Sequence, residues 1–350
     1  MDRYIGVDAH ASSCTLAVVS GSGKRLGTQV VETNARCLIE AVRQIPKPRH
    51  ICLEEGTLSE WLYEVLSPHA EEVAVAAVRE SRGPKDDRRD AFGLADQLRV
   101  GGIQRKVYKE RGRFRALGYR ARAHRWVTVD VARVKNRIKS VYRSRGGQVA
   151  GQAVYTATKR GDFLKRLPRE ARPLVEVLYE ELDGLVALQR RAKKAMLDEA
   201  KRHAEYRLVR SCPGLGPVRT AELLPIVVTP FRFQSKRGFW AYCGLGIVQR
   251  SSSDWMRAAS GEWTRAQVRQ TRGLNRNFSH TLKAIFKGAA TTVIGRGGDE
   301  PINRHSVRLL EGGTKPNLAK LTIARQLASI VLAVWRTKEA YDPERLESSA

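Results

Sequence analysis

The rhythm of apolar and polar positions changes near residue 110. Before it come short β-branched runs. "RYIGVDAH", "SCTLAVVSG" and "RLGTQVVET" are separated by a few small polar residues and a "GSGK" turn, which predicts three antiparallel strands. "ARCLIEAVRQI" then sets Leu38, Ile39, Val42 and Ile45 at helical spacing, and "HICLEE" is a buried strand. "LSEWLYEVL" predicts a helix with Trp61, Leu62, Val65 and Leu66 inward, "EEVAVAAV" a fifth strand and "DDRRDAFGLADQLR" a further helix.

From about residue 112 to 205 the apolar positions fall on long helical stripes. "FRALGYRARAHRWVTVDVARVKNRIKSVYRS" aligns Leu117, Val127, Val131, Val134 and Ile138, and after Gly146-Gly147 "RPLVEVLYEELDGLVALQRRAKKAMLDEAKRH" forms a second amphipathic helix. Its length suits a coiled-coil arm or dimerisation stalk. A third region opens with the turn "CPGLGP" before a helix, continues to "NFSHTLKAIFKGAATTVIG" and ends with "AKLTIARQLASIVLAVWR". The tail "DPERLESSA" is polar enough to be disordered. The order β-β-β-α-β-α-β-α is that of a ribonuclease H-like (RuvC-like) fold. The expected architecture is therefore α/β plus all-α: a metal domain at 1–110, a basic helical arm at 111–205, a mostly helical domain at 206–340 and a tail at 341–350.

Charge sharpens this division. Lys and Arg outnumber Asp and Glu by 63 to 36, for a net charge of +27 and a pI near 10.4, a balance that seeks a polyanion. Residues 1–80 hold 8 basic and 11 acidic side chains, whereas residues 101–145 hold 15 and 2. The basic segment, with Arg111, Arg113, Arg115, Arg120, Arg122, Arg125, Lys135, Arg137 and Lys139, is thus expected on nucleic-acid backbone. No apolar run approaching the ~18 residues of a spanning helix and no signal-peptide core is evident, so no membrane role and a cytoplasmic location are expected. Five scattered cysteines without a C-x-x-C pair read as reduced, mostly buried thiols. Seven histidines form no zinc-binding pair.

Candidate chemistry lies in two places. A ribonuclease H-like sheet gathers the end of its first strand, the end of its fourth and the start of its last helix, which here carry Asp8, Glu54 or Glu55, and Asp87 with Asp90. Several carboxylates converging from different elements suit a pair of magnesium ions ~3.5 to 4 Å apart. Asp87 and Asp90, three residues apart, share a helical face. A solvated helix start would account for Asp86 to Asp90 alone, but Asp8 closing the apolar strand "YIGVD" is poorly explained by solvation. Glu54 and Glu55 alternate across the sheet, so only one can join Asp8.

The second place is "RSSSDW", where Ser251, Ser252 and Ser253 form either a polar turn or a nucleophile that needs activation from elsewhere in space. "GSGK" is a hairpin turn rather than a phosphate loop. "PGLGP" suits either a phosphate-binding hairpin between helices or a plain turn at a helix start.

Taken together, the motifs resemble the DEDD transposases of the bacterial insertion sequence 110 family over nearly the whole chain. "YIGVDAH" is similar to that family's aspartate motif, "CLEEGTLSEWLYEVL" to its glutamate motif and "KDDRRDAFGLA" to its K-x-D-x-x-D-A signature. "CPGLGPVRTAELL", "FWAYCGLGIVQRSSSDW" and "RGLNRNFSHTLKAIFKGAA" are similar to successive blocks of its C-terminal domain. The resemblance implies that Asp8, Glu54, Asp87 and Asp90 bind Mg2+, that Asp86 and Asp96 are ordinary surface, and that Ser252 is the nucleophile. It further implies an RNA-guided recombinase that forms a covalent serine-DNA link. A structured noncoding guide (bridge) RNA would select donor and target double-stranded DNA, and the assembly would be a tetramer, a dimer of dimers, sharing sites between subunits. The chain departs from the family in two places. Ser253-Asp254 follows the serine where many relatives have glycine, and Arg272 stands in a lysine position, where it would hold phosphate. A metal-dependent junction nuclease would need the acids without the serine. A nucleic-acid-binding scaffold would need neither.

Overall fold

In the first region, alternation sorts two sets of side chains onto the two faces of one sheet. The computed structural model describes residues 1–77, 86–103, 112–249, 255–265, 271–274 and 277–344, and its contacts divide the chain into two units, Met1–Glu110 and Arg111–Ala350. In the first unit, β1 (Arg3–Ala9), β2 (Ser13–Ser20) and β3 (Arg25–Glu32) precede α1 (Ala35–Gln44). Then come β4 (Arg49–Glu54), α2 (Ser59–Leu66), β5 (Glu72–Ala76) and α3 (Asp87–Arg99). The sheet order is β3-β2-β1-β4-β5, with β1, β2 and β3 antiparallel and β1, β4 and β5 parallel.

Ile5, Val7, Ile51 and Leu53 face Leu38 and Val42 of α1 and Leu62 and Leu66 of α2, all essentially inaccessible to water. Each such burial contributes on the order of 1.5–3 kcal/mol. The opposite face carries Gly6, Cys52, Ala74 and Ala76 against α3. It is built for close approach. A Cβ on Gly6 would stand 1.8 Å from the carbonyl oxygen of Ala91, so the helix backbone rests directly on β1, and Ala91 and Ala95 keep that face of α3 thin.

The second unit begins with α4 (Arg115–Arg143), α5 (Arg160–Lys165), α6 (Arg172–Ala200), α7 (Ala204–Arg210), α8 (Pro217–Val227) and α9 (Lys236–Tyr242). Four short strands follow: β6 (Ile247–Gln249), β7 (Trp255–Arg257), β8 (Trp263–Arg265) and β9 (Thr271–Leu274). The helices α10 (His280–Arg296), α11 (Pro301–Glu311) and α12 (Pro316–Thr337) complete it. The strands pair as β6 with β9 and β7 with β8, two small antiparallel ribbons that apolar periodicity did not predict because each strand spans only three or four residues. The helices α5 and α11 were likewise not anticipated.

The stripes of α4 and α6 cover each other within the chain. Arg120 bonds Glu199, Thr128 accepts from Gln189 and Arg137 reaches Glu181, a descending register that makes the pair antiparallel. Val131, Val134 and Ile138 meet Val175, Leu178 and Leu182 between them. Where the pair ends, Tyr179 donates to the Val154 carbonyl at 2.8 Å and lies 3.2 Å from the Tyr142 hydroxyl, and burial raises the pKa of both phenols.

At the other end of the pair, Leu117, Ala121 and Met196 join a core centred on α12. Contrary to the sequence expectation, α12 is long and apolar enough to cross a membrane by length and composition, with a mean hydropathy of 1.4 over its best window. Its apolar residues Ile323, Leu327, Val331 and Trp335 are instead buried in the fold. The chain is described to Glu344, and the Tyr341 N–H donates to Ser211 Oγ at 2.8 Å. The five cysteines are unbridged, and burial pushes the Cys212 thiol up to about 12.

Candidate functional site

Asp8 occupies the position of β1 that follows Gly6 on the α3 face. In the parallel β1–β4 register, Gly6 is opposite Cys52 and Val7 opposite Leu53, so Asp8 and Glu54 continue on one face and Glu55 turns to the other. The close seat of α3 on Gly6 brings the start of that helix to the same place. Asp86 caps α3, its carboxylate accepting from the N–H groups of Arg88 at 3.0 Å and Arg89 at 3.4 Å, which fixes the turn bearing Asp87 and Asp90.

Asp8, Glu54, Asp87 and Asp90 line one cleft of about 1000 Å³ that does not include Glu55. A smaller cleft of about 450 Å³ beside it is lined by Asp8, Glu54, Glu55 and Ser59. Asp96 also lines the larger cleft, where it pairs with Arg99 of the same helix at 2.7 Å. Burial raises the pKa of the Asp8 carboxyl. His10 opposes that shift, while the neighbouring Asp87 and Asp90 carboxylates add to it. A set of hard oxygen donors, one of them destabilised as an anion where it stands, fits a bound divalent cation.

Sequence reasoning did not single out His10. Its Nε2 lies 3.5 Å from Asp8 Oδ2 and 3.3 Å from Asp87 Oδ1. The signal was present in "DAH", a histidine two residues after the strand-closing aspartate, but a search for histidine pairs does not register it. Away from the acids, the cleft carries Arg25, Arg89, Phe92 and Arg99, with the Arg25 guanidinium 4.5 Å from the Phe92 ring centroid.

The basic segment divides into two kinds of residue. Some cations bond within the second unit: Arg113 pairs with Glu205, Arg120 with Glu199, Arg125 donates to Thr281 Oγ1 at 2.7 Å, and Arg137 lies 3.5 Å from Glu181. Others lie over rings, Lys135 and Lys139 over Tyr155 and Arg122 over Tyr119, and Lys135 also donates to Gln152 Oε1 at 3.4 Å. Arg115 opens α4, and Trp126 is 64% exposed on the same helix. Arg111 lies outside the described residues, and Arg272 lies in β9.

Ser251, Ser252 and Ser253 also lie outside the described residues. After them, β7 and β8 present the exposed side chains of Trp255, Met256 and Trp263. The "PGLGP" turn packs inward. Gly214 has a φ of +71° and sits against the Ala289 backbone, and its carbonyl accepts from Arg219 at 2.8 Å, so it serves as a turn at a helix start.

No curated protein matches the chain. The family model for the DEDD transposase of IS110 elements matches residues 5–144, which include Asp8, Glu54, Asp87 and Asp90. The model for the transposase IS116/IS110/IS902 family matches residues 206–296, which include Ser252. With a DEDD domain whose acids share one cleft and a transposase domain following it, the chain carries both domains of the insertion sequence 110 transposases and is a DNA transposase or recombinase.

Proposed function

We propose that the protein moves an insertion sequence as an RNA-guided DNA recombinase, with Ser252 as nucleophile and Asp8, Glu54, Asp87 and Asp90 holding Mg2+. The observation that carries this reading is the convergence of these four acids on one cleft from β1, β4 and the capped start of α3. Bound divalent ions supply charge stabilisation for the attacking and leaving oxygens of phosphoryl transfer. The chain's own part is to hold four carboxylates in place and to deliver the Ser252 hydroxyl to a DNA phosphate. The Ser252 oxygen bonds phosphorus as the broken strand's oxygen leaves, which keeps a phosphodiester for rejoining. Arg25, Arg89 and Arg99 in the same cleft suit a strand whose phosphates must approach an acidic centre.

In this reading the basic arm, residues 111–205, and Arg272 hold the backbone of a structured guide RNA and of donor and target DNA, and residues 206–340 form the serine domain. The active assembly is a homotetramer in the cytoplasm, in which the acids of one subunit serve the serine of another. The test is a denaturing gel of protein incubated with Mg2+, guide RNA and target DNA. Wild type is expected to give a protein-DNA adduct that Ser252→Ala lacks. Cut DNA with no adduct would instead favour a junction nuclease, and retention without cutting a scaffold.

A further inference from the structure

The imidazole of His10 is aimed into the acid cleft by fixed backbone. The His10 N–H donates to the Ser13 carbonyl at 2.9 Å, and its own carbonyl accepts from Thr33 Oγ1 at 2.8 Å, so the short connection after β1 is tied at both backbone groups. From there Nε2 stands 3.5 Å from Asp8 Oδ2 and 3.3 Å from Asp87 Oδ1, with ligand atoms of all three residues within 4.8 Å of one another. Both spacings exceed the usual ~2.7–3.2 Å of an N–H···O bond. They approach the ligand-to-ligand edge of about 3.0–3.4 Å in a shell whose metal-ligand bonds are about 2.0–2.2 Å.

We propose that His10 is a nitrogen ligand of this metal site, beside Asp8 and Asp87, and gives it a preference for Mn2+ over Mg2+. The inference rests on the reading of the acid cleft as a metal site. Carboxylates alone suit magnesium, whereas an imidazole adds a donor that magnesium accepts poorly and first-row transition ions accept well. His10 is half exposed, so replacing it is expected to leave the sheet and α3 intact.

The test uses the full chain and Mn2+ alone as the probe, read by pulsed electron paramagnetic resonance for nitrogen coupling and by titration for affinity. Wild type is expected to show imidazole nitrogen modulation on bound Mn2+. His10→Ala, with an unchanged circular dichroism spectrum, is expected to lose it and to bind Mn2+ at least about tenfold more weakly, with a smaller change for Mg2+. Asp8→Asn is expected to lose Mn2+ binding altogether. Bound Mn2+ without nitrogen coupling in wild type, where Asp8→Asn abolishes binding, overturns the role of His10 and leaves the acid site standing. Nitrogen coupling that persists in His10→Ala overturns it too. Mn2+ binding undiminished in Asp8→Asn overturns both readings.

Discussion

Burial disfavours the charged form of Asp8 in the cleft, and the consequences are measurable without DNA. Its carboxyl is held above the ordinary range by burial and by Asp87 and Asp90, with His10 opposing. A carboxyl whose native pKa exceeds its unfolded value keeps an extra proton in the folded state between the two. The metal-free protein therefore loses stability as pH rises from the unfolded value near 3.9 through the raised native value, and the loss persists at neutral pH. Asp8→Asn removes the buried charge. In thermal melts at pH 7 without divalent ions it is expected to melt above wild type, while the metal-induced rise in Tm disappears. Asp96→Asn, at a cleft side chain held by Arg99, is expected to leave both behaviours as in wild type.

At the scale of elements, the site depends on how closely α3 lies on β1. Gly6→Ala would drive a methyl into the Ala91 carbonyl, so α3 must shift. A stability loss of about 1–3 kcal/mol is expected by chemical denaturation, together with loss of metal binding as Asp87 and Asp90 move away from Asp8. The arginines of α4 differ by what they touch. Arg125 reaches Thr281 on α10 inside the second unit, so Arg125→Ala is expected to lower Tm. Replacing Arg122, Lys135 and Lys139 together is expected to leave Tm near wild type and to weaken RNA binding, with a shallower dependence on salt. Equal salt slopes for wild type and the triple variant would make that face a solvated one.

Across the whole molecule, the acids lie in the first unit and Ser252 in the stretch matched by the second family model. If each active centre draws on two subunits, a mixture of Asp8→Asn and Ser252→Ala chains is expected to regain strand exchange that neither variant shows alone. Because only some mixed assemblies contain an intact centre, the recovered rate should be a fraction of wild type. A mixture as inactive as its components would mean that each chain supplies its own acids and serine.

The strands and helices of the first unit are legible because each carries its apolar pattern over five or more positions, as in the strands "RYIGVDA" and "RHICLE". The same parity separates Glu54 from Glu55, and one step beyond the last paired residues of β1 and β4, Val7 and Leu53, come Asp8 and Glu54. Net charge and its uneven spread also needed only the sequence, since they are sums over residues. Other features depended on distance in space. That α4 covers α6, that α12 lies inside a core, and that Arg125 bonds Thr281 all depend on partners far along the chain. His10 makes the point at the site itself. Its identity is plain in "DAH", but only the seat of α3 on Gly6 brings Asp87 of a distant helix to within 3.3 Å of its ring.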